Sequence, residues 1–240
     1  MNKNSVIYFI LTFVLAGSIT ISFYMASKND DINKNKMNHS EEIIKLPEPD
    51  EYGTISVEEA IEKRRSVRSF QDKEISLDDV SRLLWAAQGI THEERGLRSS
   101  PSAGATYPLE IYLVVGRVES VDAGVYRYLP EKNSLELVLK NDVRKNLQKA
   151  ALGQDFISEA PISIVISGIY ERTTSVYGER GEMYVHMEVG HAAQNIYLQC
   201  ESLSLGTVVV GAFEDERVKE VLALSENKKP FYVLPIGKQR

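Results

Sequence analysis

Residues 190–213 read GHAAQNIYLQCESLSLGTVVVGAF, and the stretch changes character halfway. Its first half closes a long helix expected from Glu182 to Ser204. Leu205-Gly206 ends that helix, since a glycine here punctuates rather than continues it. The valines within residues 207–210 are β-branched and predict a buried strand. Downstream, a helix over 214–223 and a strand over 231–236 are expected to complete the chain. Upstream comes a strand at 162–169, then a helix opened by Asp142 and running to Gly153. Before it, VYRYL and LELVLK flank Pro130-Glu-Lys-Asn133 as a hairpin. LEIYLVVG, residues 109–116, is another apolar, β-branched strand. Ser56-Val-Glu-Glu59 has the spacing of a capping box that opens a helix through Arg65. Ser76 opens a second, with Leu77, Val80, Leu83, Leu84 and Ala87 on one face. Helices and strands mixed with a hairpin predict an α+β fold in three layers, α/β/α.

The chain has 240 residues, 28 Lys+Arg and 34 Asp+Glu, for a net charge of −6. An acidic chain of this size argues against a nucleic-acid partner, whose footprint is a basic face. A phosphate ligand would need a local cluster of cations. The single Cys200 excludes an internal disulfide framework and a Cys-rich zinc site. His39, His92, His186 and His191 are scattered without HExxH spacing, so no metal is expected.

Composition shifts twice near the N-terminus. Residues 6–26, VIYFILTFVLAGSITISFYMA, run 21 residues without a charge. At about 1.5 Å per residue this reaches roughly 30 Å, the thickness of a bilayer's hydrocarbon core. The reading is a membrane anchor or uncleaved signal over residues 1–26, one transmembrane helix, with a cleaved signal peptide as the rival. Lys28, Lys34, Lys36 and Lys45 follow the span, but a single Lys3 precedes it, so the side of the membrane stays open. Residues 27–50 are polar and end in Pro-Glu-Pro, which predicts a flexible tether. The folded domain is then residues 51–240.

Four clusters could carry chemistry. Arg64-Arg65-Ser66-Val67-Arg68 places three guanidiniums and a hydroxyl at a helix end, suited to bidentate phosphate contact. Complementing the helix macrodipole explains the same charges. Residues 99–108, SSPSAGATYP, form a loop of small residues that a flat ligand could approach closely, although a generic turn has this composition too. Gly206-Thr-Val-Val-Val-Gly211 is by default an ordinary strand. Pro235-Ile-Gly-Lys-Gln-Arg240 puts two cations beside a glycine at a strand end, where a solvated basic tail is the simpler account.

Taken in this order, RRSVRSF, PSAGATYPLEIYLVV, GHAAQNIYLQCESLSLGTVVVGAF and VLPIGK resemble the flavin-dependent nitroreductase superfamily, nearest its SagB-type thiazoline- and oxazoline-oxidase branch. The resemblance covers residues 54–240. It implies a homodimer with FMN in the subunit interface. Arg64, Ser66 and Arg68 would contact FMN, with Arg65 beside them, and Gly237 and Lys238 would return to the phosphate, with Arg240 as a helper. Pro101, Ser102, Ala103 and Gly104 would face the flavin ring, in part from the other subunit. Val209, Val210 and Gly211 would lie at the ring's opposite edge. The helix with Gly190, His191, Gln194 and Asn195 would be the dimer helix, its polar residues structural.

One position departs from that branch. Its azoline oxidases tend to carry a Lys-Tyr pair before Gly-x-Arg, where the pair assists proton removal. Here Val176-Tyr177-Gly178-Glu179-Arg180 leaves Tyr177 as the catalytic residue alone, because an apolar side chain cannot relay a proton. No peptide-recognition domain is attached. The implied function is therefore a membrane-anchored FMN oxidoreductase, moving hydride between NAD(P)H and a small-molecule acceptor that is electron-poor. An azoline or peptide dehydrogenase is the alternative enzyme, and a tethered flavin-binding module without turnover is the alternative from another class.

Overall fold

LEIYLVV forms strand β4 (Leu109–Val115) in the middle of a seven-stranded sheet. The structure, a computed structural model, describes residues 42–49 and 53–240, and the compact unit is Ile43–Arg240. The sheet also contains β1 (Ile43–Lys45), β5 (Gly124–Leu129), β6 (Ser134–Lys140), β7 (Ile162–Gly168), β8 (Leu205–Thr207) and β9 (Lys229–Lys238). Their order is β1-β6-β5-β4-β7-β9-β8, and every ladder is antiparallel. A short separate hairpin joins β2 (Ile90–His92) to β3 (Leu97–Arg98).

Alternation along the strands sets the layers, because successive side chains point to opposite faces. Ile111, Leu113 and Val115 pack into one core with Val80, Leu83 and Leu84 of helix α2 (Leu77–Gln88) and with Val185, Val189 and Ile196 of the long helix α6 (Arg180–Ser202). Tyr112 and Val114 enter a second core with Leu147 of α3 (Arg144–Ala150), Ile157 of α4 (Phe156–Glu159), and Val218 and Leu222 of α7 (Asp215–Leu222). Helices cover both faces of the sheet, as an α+β domain of three layers requires. Helix α1 (Val57–Lys63) packs on α6, and α5 (Glu171–Tyr177) precedes α6. The serine caps form as expected: Ser56 accepts from Glu59 N–H and Ser76 from Asp79 N–H, each at 3.1 Å. A cap of this kind contributes about 1 kcal/mol.

The structure corrects two boundaries. The expected tether ends too late: Ile43, Ile44 and Lys45 pair with Glu136, Leu135 and Ser134 at the sheet edge. Leu46 is 2% exposed, and the Pro47 carbonyl accepts from Ser81 Oγ at 2.6 Å and Asn133 Nδ2 at 2.9 Å. The charges of this segment mask three apolar side chains and a backbone the sheet edge can pair. The expected strand 207–210 shifts to Leu205–Thr207, because its ladder with β9 runs from Leu205–Lys238 to Thr207–Ile236. Val210 touches the sheet only through an isolated bridge to Val233. The expected anchor, residues 6–26, and residues 27–41 of the tether lie outside the described residues. Among the described residues no helix is long and apolar enough to cross a membrane.

Candidate active site

The arginine segment leaves α1 at Arg64, whose N–H still bonds the Ala60 carbonyl at 3.0 Å. It then runs beside β8: Ser66 bridges Thr207 in parallel, and Val67 N–H donates to the Thr207 carbonyl at 2.9 Å. Farther on, Phe70 bridges Gln239, and Gln71 N–H donates to the Lys238 carbonyl at 2.9 Å. Backbone pairing thus draws RRSVR and the C-terminal cations together. Tyr197 of α6 fastens this group from below. Its hydroxyl accepts the Val209 N–H at 2.9 Å and lies 3.1 Å from Ser66 Oγ, while the Arg64 guanidinium sits 5.2 Å from its ring centroid. A cation over an aromatic face is held in orientation as well as attracted.

The expected residues separate by role. Arg68 and Lys238 are exposed, and neither side chain has an ion-pair partner among the described residues, so both are available to an anion. Arg65 instead folds back, donating to the Glu62 and Arg64 carbonyls at 2.9 and 2.8 Å. It completes the helix end, as a cation there should. Gly237 is buried for packing: a Cβ on it would come within 2.8 Å of Pro161 and 3.0 Å of Phe70. Val210 is buried in the second core, Val209 is half-buried, and Gly211 is exposed.

The small-residue loop forms a second group. Pro101 and Gly104 are exposed, Ser102 and Ala103 half-buried. Gly104 has φ +60, and a Cβ there would lie 2.6 Å from the Tyr177 hydroxyl. Ala105 and Tyr107 also adopt positive φ, at 53° and 44°. Such backbone costs an L residue about 1–2 kcal/mol, so it persists only where its surroundings fix it. Here Ser102 Oγ accepts the Tyr107 N–H at 2.9 Å, and Thr106 pairs with the buried Thr173 at 2.8 Å. Asn195 of α6 donates to the Ala86 carbonyl and to Ser100 Oγ, both at 3.1 Å. Tyr177 is 38% exposed and meets Tyr184 edge-on at 5.2 Å, and Val176 beside it is 62% exposed.

A cavity of about 510 Å³ opens behind the loop, lined in part by Gln88, Arg98, Tyr107, Glu110, Arg127 and Arg172. Burial pushes the Glu110 carboxyl up, but Lys228 and Arg172 outweigh it and hold the group below the usual carboxylate range. Glu188 behaves oppositely: burial raises it to about 7, against the pull of Ser102 and Arg98. Burial likewise pushes the Cys200 thiol up, so that it stays protonated.

Sequence reasoning missed Tyr197 and Glu188. Tyr197 stands two residues after the singled-out Asn195, and nothing in its spacing marks an inward hydroxyl. Glu188 has a clearer signal, an acid in the apolar run Val185-His-Met-Glu-Val189 of a helix. His191, expected as a polar residue of the dimer helix, is exposed on α6.

Free cations beside a hydroxyl and a small-residue loop under a tyrosine suit a ligand with a phosphate and a flat ring. A model of the nitroreductase family matches residues 61–238. A candidate nitroreductase of Methanocaldococcus jannaschii is 50% identical over 196 residues, which cover 82% of this chain and 96% of that one. The microcin B17-processing protein McbC of Escherichia coli is 28% identical over 165 residues, 66% of this chain and 60% of McbC. The chain therefore spans less than two thirds of that relative. Among solved structures, a candidate nitroreductase of Ralstonia eutropha superposes with a TM-score of 0.74 at 31% identity, covering 85% of this chain and 92% of that one.

Proposed function

The chain belongs to the nitroreductase family, and from that premise we propose that it passes hydride from NAD(P)H to a small electron-poor acceptor such as a nitroaromatic, quinone or enone. FMN is its cofactor and, when bound, supplies the ring that takes up and gives back hydride. The residues fit that group. Arg68 and Lys238 are cations without ion-pair partners among the described residues, and the partly exposed loop over residues 101–104 presents only small side chains. This is the observation that carries the reading.

Arg64, oriented on Tyr197, and Lys238 would hold the phosphate, with Ser66 Oγ as a short hydrogen-bonding neighbour. Arg68 would offer a bound ring compensating positive charge. The 101–104 loop would orient the ring, with Tyr177 packed on Gly104. The two groups of site residues share no hydrogen bond or ring contact among the described residues. A second copy of the chain would bring one against the other. The exposed Met183 and Met187 of α6 and Val57 and Ile61 of α1 suit such an interface. The apolar residues 6–26 would tether this dimer to a membrane.

The likeness to McbC favours a second reading, an azoline or peptide dehydrogenase. Val176 weighs against it, since no base stands beside Tyr177 at that position. Both readings meet in one assay. The FMN-loaded full chain is given NADH or NADPH with a panel of acceptors, and separately a thiazoline peptide. Turnover of an acceptor without thiazoline oxidation supports the proposal. Thiazoline oxidation without pyridine-nucleotide turnover overturns it in favour of the second reading.

A further inference from the structure

Gln88 ends α2 fully buried, and its side chain lines the cavity of about 510 Å³ that also touches Thr106 and Tyr107. Its Oε1 accepts from the Arg98 guanidinium at 3.2 Å, which fixes the orientation of the amide and leaves Nε2 as its free end. Among the described residues Gln88 Nε2 has no hydrogen-bond partner, and neither has the buried Nε of Arg98, another residue of the cavity wall. Both atoms are donors. Buried donors without acceptors are rare enough to demand a reason. None of the residues assigned above to FMN lines this cavity.

The rest of the polar wall is already held in place. Arg98 pairs with Glu131 at 2.8 Å, and its guanidinium lies 4.6 Å from the centroid of the Tyr107 ring. Arg127 donates to Glu136 at 2.8 Å, and Arg172 pairs with Glu110 and donates to the Tyr107 carbonyl at 3.1 Å. Tyr107 is fixed in turn, since its N–H donates to Ser102 Oγ at 2.9 Å. The cations of the lining, Arg98, Arg127 and Arg172, outnumber its carboxylates, Glu110 and Glu131, although the whole chain carries −6. Leu109, Ile111, Leu129 and Pro130 supply an apolar side. A preformed cavity of about 300–1,000 Å³, apolar in part and with a few fixed polar groups, is the usual form of a small-molecule site.

We propose that this cavity is a second ligand site, which takes a small organic carboxylate: its charged end meets Gln88 Nε2 and Arg98 Nε, and its apolar body lies against Leu109, Ile111, Leu129 and Pro130. Two free donors call for an acceptor, and the excess of cations favours one that carries negative charge. A neutral acceptor would leave that excess unanswered. An inorganic anion would leave the apolar side bare. The proposal goes beyond the flavin reading and does not depend on it, because the two sets of residues are different.

The test is a calorimetric titration of 2-naphthoate into the full chain and into its Gln88→Glu and Gln88→Met variants, with 2-naphthamide and inorganic phosphate as control ligands. Gln88→Glu keeps an acceptor for Arg98 and sets a carboxylate oxygen where Nε2 stood. Gln88→Met keeps the length of the side chain and removes the donor. The wild-type chain should bind 2-naphthoate saturably and at least about tenfold more tightly than either control. Affinity should fall by at least about tenfold in Gln88→Glu and about threefold in Gln88→Met. If thermal unfolding shows that Gln88→Glu does not fold, the Gln88→Met titration decides. No saturable binding of 2-naphthoate would mean that water alone serves these donors, and it overturns the proposal. Binding that the folded variants leave unchanged overturns it too, since the ligand then sits elsewhere. Equal affinity for 2-naphthamide overturns the requirement for charge, and equal affinity for phosphate overturns the apolar body.

Discussion

The Tyr177 hydroxyl stands 2.6 Å from where a Cβ on Gly104 would be, so the phenol closes over the one position of the loop where only glycine leaves room. The φ of +60 at Gly104 adds a backbone reason for the same residue.

Gly104→Ala should therefore destabilise the protein by about 1–2 kcal/mol from the left-handed backbone alone. Displacement of Tyr177 adds to this. In a Tyr177→Phe background the added part should shrink, because the clashing oxygen is gone. A double-mutant cycle by thermal or urea unfolding measures it.

Tyr197→Phe removes the acceptor of the Val209 N–H and the neighbour of Ser66 Oγ. The expected loss is about 1–3 kcal/mol of stability, the cost of leaving a partly buried donor unpaired. FMN retention should weaken with it, since Tyr197 also orients Arg64. Urea unfolding and flavin titration read the two effects separately.

Arg64 and Arg65 are adjacent in sequence and opposite in consequence. Arg64→Ala should weaken FMN binding by about 1.5–3 kcal/mol, the scale of hydrogen bonds to a charged group. Arg65→Ala should leave FMN binding unchanged and lower stability by about 0.3–1 kcal/mol, the value of a cation at a helix end. Isothermal titration of FMN into both variants makes the comparison.

Leu46→Ala tests where the domain starts. The side chain is 2% exposed in the core under α2, so its truncation should cost about 2–5 kcal/mol. A chain begun at residue 51 should unfold at lower denaturant than one begun at residue 42, because it lacks the β1–β6 ladder.

Much of this was legible in the sequence where the signal is local. The serine caps and the apolar, β-branched strands follow from spacing and composition. The β1 edge was not legible, because its three residues earn their place only by pairing with a strand about ninety positions away. The same holds at the site. Clusters of arginine and of small residues are visible as composition, yet nothing local separates Arg64, stacked on Tyr197, from Arg65, turned back on its own helix. At Gly237 a Cβ would come within 3.0 Å of Phe70, a packing reason for glycine that the sequence does not display. Tyr197 acts through groups on other elements, which one-dimensional spacing does not encode.

Anaerobic stopped-flow mixing of the FMN-loaded protein with NADPH or NADH tests the central claim most directly. The account predicts that the oxidised flavin absorbance bleaches with at least one of the two nucleotides, and returns when an electron-poor acceptor is added. A flavin that dithionite reduces but neither nucleotide does would contradict it.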